Sequence, residues 1–242
     1  MRIELNCDAG EGYGPWPMGE DEALIPLVSA VNIACAAHAG DALTMARTIA
    51  LAREAGAAIG AHPGYPDREG FGRRDLAMSA VELEASLLFQ VSALQGMARA
   101  AGAEVRHVKA HGALYNAATH DAALARSIAA AVRRASIELI MVGPPGSALL
   151  AAAAEAGLLT LAEGFADRAY EPDGSLRSRR LPGALLDDPA AAAAQSVALA
   201  ATGRYATLCV HGDTPGAAVI AAAVRTALVD AGHEVPGGPG AR

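Results

Sequence analysis

Short apolar runs alternate with longer segments of helical periodicity along the whole chain. The apolar runs predict seven strands, at residues 3–7, 31–35, 57–61, 105–109, 137–142, 158–162 and 206–210. Predicted helices between them include residues 42–55, 80–101, 122–135, 190–201 and 217–231. Strands that alternate with helices favour a parallel sheet with right-handed crossovers. Seven such α/β units fit a closed, TIM-like β/α barrel better than two small sheets, but the periodicity alone does not decide whether the sheet closes.

The positions of glycine, proline and polar segments along the chain indicate one domain. Glycine stands at four expected helix ends, where a left-handed residue commonly terminates a helix: Gly56, Gly102, Gly157 and Gly232. No shift in composition marks an internal boundary, so we expect a single domain over residues 1–235. The polar segment 164–182 is predicted to be an elaborated loop. The Pro- and Gly-rich residues 236–242 are predicted to form a flexible C-terminal tail.

Composition narrows the class of protein. Hydrophobic residues make up 52% of the chain and aromatic residues 4%, which predicts a large aliphatic core. The net charge is -7 without a dense basic run, which argues against a nucleic-acid partner. Three cysteines without a Cys-x-x-Cys pair favour neither a disulfide framework nor a zinc knuckle. The N-terminus lacks the apolar segment of a signal peptide, and charged residues interrupt the Ala-rich stretches before the ~20 apolar residues of a membrane span. We therefore expect a cytoplasmic protein without a membrane partner.

Chemically active side chains occur at the ends of six of the seven predicted strands. They are Asn6, Asp8 and Glu11; His38; His62; Lys109 and His111; Glu163, Asp167 and Arg168; and His211 and Asp213. The fifth strand runs into Gly143-Pro144-Pro145 and offers no such group. Any single His-Gly pair is more simply a polar residue beside a tight turn. Six strand ends with such groups indicate a site, because side chains beyond the strand C-termini of a barrel converge on one mouth.

These groups lie within motifs that follow one another in a fixed order. The motifs are LNCDAGEG at 5–12, NIAC at 32–35 with HAGD at 38–41, GAHPGYPD at 60–67, GFGRR at 70–74, VK at 108–109 with HGALYN at 111–116, EGFADR at 163–168 and CVHGD at 209–213. Through them the chain resembles the LamB/YcsF family from the first strand to the last. It departs from the family at Ala36-Ala37, where members usually carry Gly-Phe, and at Ala110 and Ser178, where they carry Pro. None of these changes removes a titratable group, although loss of the aromatic at position 37 would reshape a pocket wall.

The resemblance implies both a fold and an activity. It implies a seven-stranded β/α barrel related to metal-dependent glycoside hydrolases and deacetylases. It also implies similarity to the A component of a three-subunit bacterial enzyme that opens the lactam of 5-oxo-L-proline to L-glutamate with ATP hydrolysis. The other two subunits, B and C, resemble the halves of an allophanate-hydrolase-like protein.

Opening an unreactive lactam requires a general base, donors for oxygen charge and a cationic clamp. For Asp8 and Glu11, we expect one to accept a proton while the other holds a metal or orients a ligand. The alternative is that both belong to a structural turn with helix capping. Burying a lysine without a partner would be costly, so Lys109 is expected to have a role. It is expected to stabilise phosphate or the oxyanion, or to form a buried salt bridge with Glu163 or Asp8, and it could play both roles. The residues expected to be catalytic are Asp8, Glu11, Lys109, His111, Glu163 and His211. Those expected to bind substrate are Asn6, His38, His62, Arg73, Asp167, Arg168 and Asp213.

The expected cofactors are ATP and a divalent metal. Asp8, His38 and His62 follow three successive strands and offer an oxygen and nitrogen set that several divalent ions accept. No Gly-x-x-x-x-Gly-Lys-Ser/Thr loop marks a nucleotide site, so ATP is expected on this chain, at an interface or on a partner. Cys7, Cys35 and Cys209 are interpreted as core packing. Three functions stay open: a component of the oxoproline-opening enzyme, a stand-alone metal-dependent amidase or deacetylase, and a non-catalytic lactam-binding subunit.

Overall fold

In the part of the chain that the computed structural model describes, residues 1–179 and 181–238, seven parallel strands close into a barrel. The strands are β1 (Glu4–Ala9), β2 (Ala30–Ala34), β3 (Ala58–His62), β4 (Val105–Lys109), β5 (Ile140–Gly143), β6 (Leu159–Phe165) and β7 (Thr207–His211). They pair in sequence order, and β7 closes the barrel by pairing with β1. The predicted seven-stranded β/α barrel is confirmed.

Helices connect the strands on the outside of the barrel. They are α1 (Asp21–Leu24), α2 (Ala42–Ala55), α3 (Ala80–Ala100), α4 (Gly112–Ala118), α5 (Ala122–Ala135), α6 (Ala148–Glu155), α7 (Pro189–Ala201) and α8 (Ala217–Asp230), with a short 3-10 helix at Ile25–Leu27. The glycines predicted at helix ends are left-handed, with φ of 68°, 71°, 79° and 84° at Gly56, Gly102, Gly157 and Gly232. Ser79 and Glu82 form a capping box at the start of α3. Within the described residues, no helix combines the length and the apolar character that a membrane crossing would require.

Strand bounds differ from the prediction in a way that matters for the site. The fifth strand begins at Ile140 instead of 137, and Ile137 is 47% exposed. Strands β1, β6 and β7 run further than predicted, so Asp8, Glu163 and His211 lie inside strands and not beyond them. Residues 164 and 165, predicted as loop, likewise belong to β6. The polar groups of Asp8, Glu163 and His211 are thus part of the barrel wall itself.

The barrel interior is polar, while the space between strands and helices is aliphatic. Asn6 on β1 donates a hydrogen bond to Glu163 on β6, and the two strands are not neighbours, so both side chains must face the barrel axis. Alternation along β1 then directs Leu5 and Cys7 outward, where they are fully buried under the helices. The predicted aliphatic core is present, and a second, polar core fills the barrel.

Only Pro236, Gly237 and Gly238 of the predicted tail belong to the described residues. The Arg225 guanidinium donates to the carbonyl oxygens of Val235, at 2.8 Å, and of Gly237. Residues 239–242 lie outside the described residues, and a domain boundary at 235 stays a prediction.

Candidate active site

A buried lysine between two carboxylates forms the centre of the site. Lys109 Nζ lies 2.9 Å from Oδ1 of Asp8 and 3.1 Å from Oε1 of Glu163. The three side chains are 3%, 5% and 0% exposed. Burial opposes the charge on Lys109, but Asp8, Cys209 and Glu163 outweigh that cost and raise its pKa well above the usual range. The salt bridge expected to one of the carboxylates is thus made to both.

Neutral donors hold these carboxylates in place. The Asn32 amide donates to Oδ1 of Asp8 and to Oδ1 of Asn6, both at 2.8 Å. Asn6 in turn donates to Oε1 of Glu163 at 3.1 Å, and the Tyr115 hydroxyl donates to Oε2 of Glu163 at 2.9 Å. These donors engage three of the four carboxylate oxygens of Asp8 and Glu163. The two carboxylates are therefore held in fixed positions inside the barrel.

Asp8 is held as an anion. Its Oδ2 lies 3.4 Å from Nε2 of His62 and 4.0 Å from Nε2 of His211. Burial would raise the pKa of Asp8, but His62 and Lys109 together lower it well below the usual range. Asp8 is therefore a fixed negative charge that orients its neighbours, and it is a weak proton acceptor near neutral pH.

Asp167 and His211 form a hydrogen-bonded dyad beside Asp8. Asp167 Oδ1 lies 2.8 Å from Nδ1 of His211, and Oδ2 accepts from the His211 backbone amide at 3.0 Å and the Thr214 hydroxyl at 2.9 Å. Burial opposes ionisation of Asp167, but His211 and these donors lower its pKa. A carboxylate only accepts, so Nδ1 of a neutral His211 carries the proton and Nε2, on the Asp8 side, has a free lone pair. That is the geometry of a general base with an orienting carboxylate.

Three histidines and one carboxyl form a second cluster. Nε2 of His62 lies 2.9 Å from Nδ1 of His111. Burial and the neighbouring histidines hold the pKa of His111 well below its ordinary value, and burial with His62 does the same for His38. The imidazoles of His38 and His111 are therefore neutral near pH 7.

Glu11 completes this cluster. Its Oε1 lies 3.5 Å from Nε2 of His38 and 3.6 Å from Nδ1 of His111. Burial, Asp8 and Asp213 raise the pKa of Glu11 well above the usual range. The two carboxyls predicted as a pair, Asp8 and Glu11, thus have opposite shifts.

Among residues 1–179 and 181–238, two groups of side chains could hold a metal ion. One contains Glu11, His38, His62 and His111, and the other contains Asp8, Cys209 and His211. In each group the ligand atoms lie within 4.8 Å of one another. The predicted set of Asp8, His38 and His62 is divided between them.

Cationic side chains line the barrel mouth. Arg73 Nη2 lies 2.6 Å from Oδ2 of Asp213, and Nη1 of Arg179 lies 3.7 Å from the same oxygen. The Arg73 side chain is 35% exposed and covers the ring of Phe71 at 4.7 Å. Both arginines are thus placed near the surface to meet an anionic group.

Arg168 is occupied differently. Its guanidinium donates to the carbonyl oxygens of Ala184, at 3.2 Å, and Arg177, at 2.8 Å. Burial and the nearby Arg179 lower the pKa of Arg168 to about 10. These contacts hold the loop after β6 in place, and a substrate contact by Arg168 stays a prediction.

Several site residues were not singled out by sequence reasoning. They are Asn32, Phe71, Tyr115, Phe165, Thr207, Cys209 and Thr214. The two-residue period of β7 is a signal for Thr207 and Cys209, since both share a face with His211. On β2, Asn32 stands out as a polar residue within an otherwise apolar strand.

The three cysteines differ in their surroundings. Cys7 and Cys35 are buried in the core as predicted. The packing interpretation of Cys209 is incomplete, because its Sγ lies 3.0 Å from Lys109 Nζ. Burial and Asp8 raise the pKa of the Cys209 thiol, which argues against a thiolate nucleophile.

Comparisons with known proteins agree with the motifs. A family model described as the LamB/YcsF family matches residues 3–239. The A subunit of 5-oxoprolinase from Chloroflexus aggregans is 52% identical, over 97% of this chain and 98% of its own. That from Methylococcus capsulatus is 50% identical, over 96% and 94%. The crystal structure of a lactam utilization protein from Thermus thermophilus superposes with a TM-score of 0.91 at 41% identity, over 97% of this chain and 99% of that one.

Proposed function

This chain belongs to the LamB/YcsF family, and on that premise we propose that it acts as the A component of an ATP-dependent 5-oxoprolinase. In this proposal it opens the lactam of 5-oxo-L-proline to L-glutamate. Its relatives are named as the A subunit of 5-oxoprolinase or as a lactam utilization protein, which supports a role in 5-oxoproline metabolism. The observation that carries the proposal is Lys109 between Asp8 and Glu163, beside the Asp167–His211 dyad at the carboxyl ends of the strands.

The proposed chemistry divides one difficult step into easier ones. Transfer of the terminal phosphoryl group of ATP to the lactam oxygen makes the ring carbon electrophilic. Water then adds to that carbon while Nε2 of His211 takes its proton, and the ring C–N bond breaks as the nitrogen is protonated. A second water releases phosphate from the resulting acyl phosphate, so one lactam, one ATP and two waters give glutamate, ADP and phosphate.

Each charged residue has a place in this scheme. Lys109 supplies positive charge for oxygen charge that develops on the substrate, with Asp8 and Glu163 fixing its position. Arg73 and Arg179, near the surface, suit a carboxylate or a phosphate. The partners in this proposal are two further subunits, B and C. The lettered names of the relatives support such an assembly, because they describe one component of a larger enzyme.

A second candidate is a stand-alone metal-dependent amidase or deacetylase. The cluster of Glu11, His38, His62 and His111 favours it, because imidazole and carboxylate ligands suit a hydrolytic metal. This candidate requires neither ATP nor partners.

The two candidates are separated by measuring glutamate release from 5-oxo-L-proline. The purified chain is assayed alone and with its two partner subunits, each with and without ATP and Mg²⁺. Glutamate only in the complete mixture with ATP supports the first candidate. Turnover of an amide by the isolated chain with a divalent metal and no ATP supports the second, and no glutamate in any mixture of folded subunits refutes the first.

A further inference from the structure

His62 and His111 are arranged as ligands of one metal ion. A carbonyl oxygen only accepts, so Nδ1 of His62, 2.8 Å from the Lys109 carbonyl oxygen, carries a proton. Nε2 of His111 carries one for the same reason, 2.8 Å from the carbonyl oxygen of Phe71. In the neutral rings the remaining nitrogens then hold lone pairs, and these nitrogens face each other at 2.9 Å. Two opposed lone pairs repel each other unless a cation, either a metal ion or a shared proton, lies between them.

The outer hydrogen bonds of both rings are those expected of metal-bound histidines. Ligating imidazoles almost always donate their other ring N–H to a carboxylate, carbonyl or water, which fixes the tautomer and the ring direction. The carbonyl of Phe71 is directed to His111 by a left-handed backbone with φ of 53°, which is unusual for a bulky residue. Such strain is common where a conformation serves a site.

Glu11 supplies the oxygen ligand. Its Oε1 is buried and has no hydrogen-bond partner among the described residues, although it lies 3.6 Å from Nδ1 of His111. An orphaned carboxyl oxygen in the barrel interior is costly unless a cation meets it. Zinc bond lengths place the ligand atoms of a tetrahedral site roughly 3.4 Å apart. The separations of 2.9 Å and 3.6 Å lie on either side of that value.

His38 borders this site without being a ligand in its present orientation. Its ring is stacked on that of His111, with centroids 3.7 Å apart and planes 3° from parallel. A metal in the plane of one of two parallel stacked rings lies outside the plane of the other, so one ion cannot be well placed for both. Both ring nitrogens of His38 are buried and have no hydrogen-bond partner among the described residues, although Nε2 lies 3.5 Å from Oε1 of Glu11. They are available to a water or substrate group beside the metal.

The second group of possible ligands, with Asp8, Cys209 and His211, is a poorer site. Lys109 Nζ already lies 2.9 Å from Oδ1 of Asp8 and 3.0 Å from Sγ of Cys209. A divalent ion there would sit against an ammonium group.

The geometry therefore selects the histidine cluster. We propose that the chain binds one divalent transition-metal ion of the zinc class through Glu11, His62 and His111, with an open coordination position on the His38 side. Two histidines and one glutamate with an open position form a ligand set that zinc accepts in hydrolytic sites.

Metal binding does not depend on the lactam substrate, so the test requires no turnover. The untagged chain is freed of metal by dialysis against a chelator and titrated with Zn²⁺ by calorimetry and with Co²⁺ by visible absorption. The variants are Glu11→Gln, His111→Gln, His38→Gln and the exposed control His120→Gln. Circular dichroism verifies that each variant is folded.

We expect one bound ion per wild-type chain and a melting temperature that rises with Zn²⁺. Glu11→Gln and His111→Gln should weaken binding by at least about 100-fold, while His38→Gln and His120→Gln change it by less than about tenfold. Absence of stoichiometric binding, or wild-type affinity in Glu11→Gln, overturns the site. A loss in His38→Gln as large as in His111→Gln overturns the ligand assignment. If the variants unfold, a wild-type crystal soaked in Zn²⁺ decides by whether an anomalous peak lies between His62 and His111.

Discussion

Lys109 and Asp8 form an ion pair inside the barrel, with Nζ 2.9 Å from Oδ1 and the side chains 3% and 5% exposed. Removing both charges from water is expensive, and the pair is tolerated because Glu163 and Asn32 complete its hydrogen bonds. Such an arrangement contributes little net stability by itself. Its value lies in holding a positive charge at a fixed point, which suits a site where negative charge develops on the substrate.

Removing the lysine should destabilise the fold severely. Lys109→Met leaves Asp8 and Glu163 buried without their cation, and breaking a buried pair costs about 3–5 kcal/mol. Urea denaturation at pH 7 measures the loss. The matched control is Arg134→Met, because Arg134 pairs with Glu84 at 3.9 Å on the surface and should matter little. Equal stability of the two variants would contradict the buried triad.

The Asp167–His211 dyad predicts a tautomer-dependent activity. Asp167→Asn replaces the carboxylate that accepts from Nδ1 of His211 at 2.8 Å, so the ring no longer keeps its lone pair on Nε2. In the assembled enzyme, kcat for glutamate release should fall by roughly 10²–10⁴-fold. Asp173→Asn is the control. Asp173 lies in an exposed loop, and within the described part of the chain its carboxylate accepts hydrogen bonds only from Ser175. Unchanged kcat in Asp167→Asn would remove His211 from the role of base.

Stability should fall as the pH drops below the ordinary histidine range. Burial and Arg106 lower the pKa of His107 from 6.5 to about 3, and its Nε2 lies 2.7 Å from Oδ1 of Asn32. Between pH 6.5 and about pH 3, His107 is protonated in the unfolded chain and neutral in the folded chain. The contribution of His107 to the free energy of unfolding is therefore complete above pH 6.5 and decreases as the pH falls toward 3. When the pH falls from 7 to 5, the free energy of unfolding should decrease in both proteins. The decrease should be about 2 kcal/mol smaller in His107→Gln than in wild type.

Urea denaturation at the two pH values tests this, and His120→Gln serves as the control because His120 is exposed. An identical pH dependence in wild type and His107→Gln would show that His107 titrates normally in the folded protein. The pKa values of His38 and His111 are also lowered. The free energy of unfolding of wild type should therefore decrease by more than the contribution of His107 alone.

Two glycines should respond oppositely to alanine. A Cβ at Gly60 would lie 2.0 Å from Nε2 of His107, inside the barrel, whereas a Cβ at Gly96 meets nothing within 4 Å on helix α3. Gly60→Ala should destabilise by about 1–3 kcal/mol or more, because the imidazole would have to move away from its 2.7 Å contact with Oδ1 of Asn32. Gly96→Ala should stabilise by about 0.4–1 kcal/mol by restricting the unfolded chain. Thermal melts of both variants measure the pair, and a neutral Gly60→Ala would contradict the packing of His107.

The sequence was sufficient for the fold because the barrel repeats one unit. Alternating strands and helices, with glycine at the helix ends, specify the order of elements, and the predicted strands overlap the observed ones. Strand ends were harder to predict, because Asp8 and His211 are polar and interrupt the apolar pattern although they lie in strands. The departure from the family at Ala36 has a structural consequence, since this residue adopts φ of 62°, where the usual glycine has no steric cost.

The site was predicted at the level of residue type and strand end, and its pairings were not. Lys109 was expected to meet Asp8 or Glu163, and it meets both, because closure of the barrel brings β1, β4 and β6 around one axis. The lone pairs of His62 and His111 face each other because the carbonyl oxygens of Lys109 and Phe71 engage the opposite ring nitrogens. The spacing of residues in the sequence does not predict which ring nitrogen each carbonyl engages.

We propose that the polar barrel interior opens the lactam of 5-oxo-L-proline. The most direct test is glutamate release by the assembled enzyme containing wild-type chain or Asp8→Asn, with ATP and Mg²⁺ present. Asn keeps the shape of Asp8 and removes the charge that faces Lys109, His62 and His211. We predict ATP-dependent glutamate release by wild type and at least about a 10²-fold lower rate in a folded Asp8→Asn enzyme. Wild-type rates in Asp8→Asn would show that lactam opening does not require the charge of Asp8.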